Sequence, residues 1–418
     1  MHAVVGGALA LAACYRPAVE SCQYACDDDG GCPAGLACNA ARMCAATATA
    51  TCDGSPDGGR PDGGGGDGGL ACWTAANIDL PCSYFGSAGP VDWTLGSGIL
   101  ELEPSCATTA GTCGVPVPVV LTAQHDGSAV LVIAADHVSI PANASLFLEP
   151  GPPVVILAYG GADIAGTIFA NAVDQNGDPQ AMWASGCPST MSTIPGAGGG
   201  GGGGGFGEPG AGSGGAGPGG MLGGPAGEPF GASLQPLVGG CPGGDTPTTT
   251  GGHGGGVLEL SSRGDIVVSG VLNAPGGGGR STQNAGSNEN GTGPYGGGGG
   301  GAGGGILLDG ATVTIEDGAD VCANGGGGGA GGFGQAGDSD ECGSRLAPTG
   351  GAPGVNLTGG AGGNGAIAAA AATDGDNNGN GGGGGGGATG RIVLMGRTGA
   401  GVTVGSGSYV SPTALVVP

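Results

Sequence analysis

The chain has 418 residues, of which 110 are Gly and 29 Pro, and its 33 acidic residues against 8 basic ones leave a net charge of −25. All the basic residues are Arg, and no basic footprint exists for DNA or RNA, so nucleic acid is excluded as a partner. Acidic polysaccharides and anionic lipid headgroups are disfavoured for the same reason. Gly and Pro together reach the share usual for low-complexity sequence. Yet 39% of residues are hydrophobic and they cluster in short runs, so a packed core with extruded glycine loops is expected.

Residues 1–13, MHAVVGGALALAA, form a short apolar segment that reads as the hydrophobic part of an export signal. Leu11-Ala12-Ala13-Cys14 resembles the bacterial lipobox. That resemblance implies cleavage before Cys14 and lipidation of Cys14, hence attachment to a membrane through an N-terminal lipid. The sequence departs from the pattern in having only His2, and no Lys or Arg, ahead of the apolar run.

Setting Cys14 apart leaves an even set of fourteen cysteines: Cys22, Cys26, Cys32, Cys38, Cys44, Cys52, Cys72, Cys82, Cys106, Cys113, Cys187, Cys241, Cys322 and Cys342. Parity and an export-like start favour disulfides in an oxidising compartment. The first six crowd into residues 22–52, a stretch too short for a hydrophobic core, so 14–52 is expected to be a disulfide-rich knot of undetermined connectivity. Its text CDDDGGCPAGLAC looks like the small Cys-rich knots of exported myxobacterial proteins. Asp27-Asp28-Asp29 within it reads as a solvated turn.

Residues 53–70, DGSPDGGRPDGGGGDGGL, are a linker kept extended by Pro and by repelling Asp. Residues 71–128 hold Trp73, Tyr84, Phe85 and Trp93 with Cys72, Cys82, Cys106 and Cys113, and are expected to form a disulfide-braced cap. An aromatic sugar-binding platform is the functional alternative there.

From residue 129 a pattern of short Val/Ile-rich steps recurs. First steps are Leu131-Val132-Ile133, Val155-Ile156-Leu157, Val257-Leu258-Glu259-Leu260, Ile306-Leu307-Leu308 and Ile392-Val393-Leu394. Second steps are His137-Val138-Ser139-Ile140, Asp163-Ile164-Ala165, Asp265-Ile266-Val267-Val268, Thr312-Val313-Thr314-Ile315 and Val402-Thr403-Val404, and weaker third steps are Leu146-Phe147-Leu148, Ile168-Phe169-Ala170, Val271-Leu272 and Val321-Cys322. One such repeat cannot bury its apolar face alone, whereas stacked repeats can. The expected fold is therefore all-β: a right-handed parallel β-helix, or solenoid, over 129–418 with long Gly-rich loop insertions, preceded by the small disulfide-rich module.

The glycine tracts at 196–224, 276–305, 325–365 and 379–387 admit two readings, disordered loops or extended polyglycine helices of the polyproline II type. Phe206, Met221, Phe230 and Phe333 interrupt them as candidate anchors. Cys187 with Cys241, and Cys322 with Cys342, each bracket a tract, and pairing them would tie the tract bases.

Chemical motifs are sparse. A P-loop needs a Lys, and the many GxGxxG matches follow from composition alone. His125 beside Asp126 lacks a nucleophile and reads as a surface histidine. Asp374, Asp376 and Asn378 match the first half of an EF-hand-type calcium loop, but position twelve is Gly385 instead of Glu. Asp174, Asn176 and Asp178 make a second partial match.

The plan as a whole resembles the glycine-rich, Cys-rich surface lipoproteins of myxobacterial type. That resemblance implies a non-catalytic structural or adhesive protein, displayed at the outer membrane or secreted, with an extracellular polysaccharide or protein surface as partner. The competing readings are a β-helix polysaccharide lyase or glycoside hydrolase, with Asp163, Asp265, Glu259 and Glu316 as candidate acids on solvent-facing positions, and a calcium-stabilised binding module.

Overall fold

The computed structural model describes residues 37–38, 44–45, 74–79, 91–102, 114–149, 151–170, 187, 199–214, 222–229, 234–247, 249–281, 296–332, 334–339, 342–354, 359–377, 381–397 and 401–417. Two compact units meet in the chain between Cys72 and Trp73. In the first, β1 (Ala37–Cys38) pairs antiparallel with β2 (Cys44–Ala45).

The second unit is built almost wholly of parallel strands. A short hairpin, β3 (Thr74–Ala75) and β4 (Ile78–Asp79), precedes β5 (Trp93–Thr94), β6 (Gly98–Leu102) and β7 (Val119–Ala123). Two long strands follow, β8 (Ala129–Ile140) and β10 (Val154–Ile164), separated by β9 (Ala144–Leu148). After β11 (Thr167–Ala170) the long strand splits in each repeat. The pieces are β12 (Val257–Ser262) and β13 (Ile266–Val268), then β15 (Gly305–Gly310) and β16 (Val313–Ile315), then β18 (Arg391–Gly396) and β19 (Val402–Val404). Third steps are β14 (Val271–Asn273), β17 (Asp320–Cys322) and β20 (Tyr409–Ser411), and β21 (Leu415–Val417) pairs with β18. The one described helical turn is a 3-10 turn at Cys342–Ser344.

Register explains the core. Leu131, Val154, Leu258, Ile306 and Ile392 lie in one column across neighbouring strands, and Ile133, Ile156, Leu260, Leu308 and Leu394 in another. Every one of these side chains is buried. Parallel strands covered on both faces read as continuous apolar runs, as β12 and β15 do. Each buried aliphatic side chain contributes about 1.5–3 kcal/mol. On the six-stranded sheet β20-β17-β14-β11-β9-β6, Phe147 and Phe169 sit in register and stack with ring centroids 4.6 Å apart.

The expected right-handed parallel β-helix with extruded glycine loops is overturned on two points. First and second steps do not occupy separate faces: β8 and β10 run through both, and all of these strands share one eleven-stranded sheet. That sheet is nearly closed and barrel-like, and it includes an antiparallel member, β7. The fusion is physical, because β8 and β10 keep their pairing across an irregularity between Ala158 and Gly161 instead of breaking into a turn. The second point is that the glycine runs at 199–206, 296–305, 325–332 and 381–387 are buried, not extruded, although other parts of the tracts, such as Ser344–Leu346, are exposed.

They form a hydrogen-bonded bundle. Along 296–305, Gly297, Gly300 and Gly303 donate to the carbonyls of Gly382, Gly385 and Ala388 at 2.8–3.0 Å. Gly298, Gly301 and Gly304 donate instead to Arg280, Gly277 and Ala274, and Gly299 and Ala302 to Gly244 and Cys241. The same segment accepts from Gly201 and Gly204, from Gly252 and Gly255, and from Gly326 and Gly329. Each neighbour therefore returns every third residue, the period of an extended polyproline II-type helix, and this segment has six neighbours. Residues 381–389 repeat the pattern, with each successive carbonyl accepting an N–H from another segment.

Glycine is required here for its missing Cβ. A Cβ on Gly299 would lie 2.0 Å from the Gly202 oxygen, and one on Gly387 would lie 1.9 Å from the Gly301 oxygen. Conformational freedom is not the reason, since among the described glycines of these tracts only Gly332 and Gly381 have positive φ. Phe206 is fully buried and joins the apolar core; Met221, Phe230 and Phe333 lie outside the described residues.

Disulfides join Cys187 to Cys241 and Cys322 to Cys342, both with Cα atoms 5.6 Å apart. Cys38 and Cys44 lie in β1 and β2. Cys14, Cys22, Cys26, Cys32, Cys52, Cys72, Cys82, Cys106 and Cys113 lie outside the described residues, as does the linker 53–70.

Candidate functional site

A buried polar arrangement in the second unit surrounds Glu259. This residue is the third of β12, between Val155 of β10 and Leu307 of β15 in register, and it is 0% exposed. The 74–79 hairpin covers it. Glu259 Oε1 accepts the Ala76 N–H at 3.1 Å, and Oε2 accepts from Asn77 Nδ2 at 2.9 Å. Asn77 Nδ2 also donates to the Leu234 carbonyl at 3.1 Å, and the Asn77 carbonyl accepts the His125 N–H at 3.2 Å. Nearby, Gln124 brackets Leu237, accepting its N–H at 2.7 Å and donating to its carbonyl at 3.1 Å. Three segments distant in sequence are thus fastened over the sheet.

Burial pushes the Glu259 carboxyl up to about 7; the Asn77 hydrogen bond opposes this, the Asp309 charge adds to it, and the Ala76 N–H opposes it weakly. Asp309 of β15 is itself nearly buried. It accepts from Ser261 Oγ at 3.1 Å and pairs with Arg397 Nε at 2.9 Å. Arg397 also reaches the Ser262 and Asp309 carbonyls. Tyr159 lies 5.7 Å under the Arg263 guanidinium, and burial raises its hydroxyl to about 12.

The candidate acids do not share a position. Asp163 is opposite Ser139 and Val267, is exposed, and pairs with His137 Nε2 at 3.1 Å. Asp265 is exposed and accepts from Thr312 Oγ1 at 2.7 Å, and Glu316 is exposed beyond β16. Glu259, read from sequence as solvent-facing, is instead sealed in, because the hairpin supplies a cover on its face. His125 is exposed, and Asp126 beside it serves a turn, with its carboxylate accepting the Ser128 N–H and hydroxyl and titrating lower as a result.

Of the EF-hand-like residues, Asp374 accepts the Gly212 N–H at 2.8 Å, so its carboxylate fastens the edge of the bundle. Asp376 is exposed and its backbone bonds to Ala361 and Gly383. Asn378 lies outside the described residues, as do Asp174, Asn176 and Asp178. Among the described residues no three His, Cys, Asp or Glu side chains gather to hold a metal ion, and no helix is long and apolar enough to cross a membrane.

Asn77, Gln124, Asp309 and Arg397 were not marked in the sequence. The available signal was a carboxylate inside an apolar run, in VLELSS and in GILLDG, which points to a covered partner on a strand buried on both faces. No known protein family, curated protein or solved structure matches this chain.

Proposed function

We propose that the protein is a non-catalytic structural or adhesive body, held at the bacterial outer surface by a lipid on Cys14. The observation that carries this reading is the glycine bundle. Part of the interior is a backbone lattice in which one glycine segment is hydrogen-bonded to six neighbours, which suits bearing load and holding a shape. The lipobox-like Leu11-Ala12-Ala13-Cys14, the Cys-rich segment and the Gly/Asp/Pro linker supply an anchor and a stalk for such a body. With a net charge of −25, the matching partner is a neutral polysaccharide or a neutral to basic protein surface.

The test is expression of the full chain in a Gram-negative host, followed by mass analysis of the membrane fraction and protease treatment of intact cells. The expected result is an acylated peptide beginning at Cys14, a body cleaved from the outside, and release to the medium on Cys14→Ala. An unmodified Cys14 in a chain shielded from external protease overturns the reading.

A further inference from the structure

We propose that the 74–79 hairpin is a pH-sensitive latch on β12, seated while the Glu259 carboxyl is protonated and loosened when that carboxyl ionises. Four polar ties hold the turn of this hairpin, and two of them end on Glu259: Ala76 N–H to Oε1 and Asn77 Nδ2 to Oε2. The others run from Asn77 Nδ2 to the Leu234 carbonyl and from the His125 N–H to the Asn77 carbonyl. Around Glu259, β10 presents Val155 and the 234–237 segment presents the Leu234 carbonyl. β15 presents Leu307 and Asp309, and Arg397 after β18 is committed to Asp309. Tyr159 and Arg263 face each other. Among the described residues, the one charge acting on Glu259 is the like charge of Asp309.

Ionisation strengthens the two N–H ties to the carboxylate, but it also leaves a buried anion beside a second anion, and the cost of that burial is the larger effect. The lifted state titrates near the ordinary 4.5 and the seated state near 7. Lifting therefore becomes easier as pH rises across that window and levels off above it, by a factor on the order of a hundred.

Hydrogen exchange on the full chain tests this, reading protection factors of the 75–78 amides relative to those of Ile156 and Leu260 between pH 5 and pH 8. In the unaltered chain the ratio should fall on the order of a hundredfold as pH rises. With Glu259→Gln it should stay flat, and with Asn77→Ala, which removes a donor to the carboxylate, the midpoint should move to higher pH. A pH-independent ratio in the unaltered chain overturns the proposal, whether or not the variants fold. So does an undiminished fall in Glu259→Gln.

Discussion

Asp309 and Glu259 are the buried charged residues among those described, and much rests on each. Arg397 is the counterion of the nearly buried Asp309 and also holds two strand-end carbonyls. Arg397→Met is expected to cost about 3–5 kcal/mol in denaturant unfolding, because it leaves Asp309 uncompensated. It should also push the Glu259 titration further up, since the Asp309 charge then acts unopposed. Glu259 gives a second prediction. Its folded value of about 7 lies above the ordinary 4.5, so its contribution is full below pH 4.5 and is lost as pH rises through 7. Global unfolding free energy should decline over this window, and Glu259→Gln should flatten that part of the profile. In the columns, Leu260→Ala should cost about 2–5 kcal/mol, as truncation of a fully buried leucine does.

At the level of elements, strands and glycine segments are stabilised by opposite means. The strands fill space with Val, Ile and Leu, whereas the glycine segments leave none to fill. Two substitutions separate these cases. Gly299→Ala places a methyl within 2.0 Å of the Gly202 oxygen, a backbone atom that cannot swing away, and should cost about 3 kcal/mol or more. Gly96→Ala meets nothing within 4 Å and should lie within about 0.5 kcal/mol of the parent chain. Thermal melting of the two variants side by side checks the contrast; equal losses would mean that the packing in the bundle is not what makes glycine necessary. The strands were legible because alternation and β-branching are local signals, so Val313-Thr314-Ile315 announces itself. The bundle was not. Gly299 bonds to Gly244 and Gly252, each some fifty residues away in sequence, and a run of identical residues gives no clue to which neighbour it meets.

For the molecule as a whole, the sequence carried the recurrence of steps but not their joining. Nothing in Asp136 or Gly160 marks β8 and β10 as continuous, so first and second steps read as distinct strands of a β-helix merged into one curled sheet. The apolar run around Glu259 signals a cover, but not that the cover comes from residues 74–79, far upstream. Two disulfides cross this architecture at separations of 54 and 20 residues. By loop closure they contribute about 4 and about 3 kcal/mol, so reduction should lower the melting temperature, and removing the Cys187–Cys241 pair should have the larger effect. The threefold return of hydrogen bonds along 296–305 has a further consequence for how such a chain tolerates changes in length. One added glycine in that run rotates everything beyond it onto the wrong neighbour, while three added together restore the phase after a full turn. Length variation in these tracts should therefore be permitted in triplets and penalised otherwise, which a melting comparison of one-, two- and three-glycine insertions would reveal.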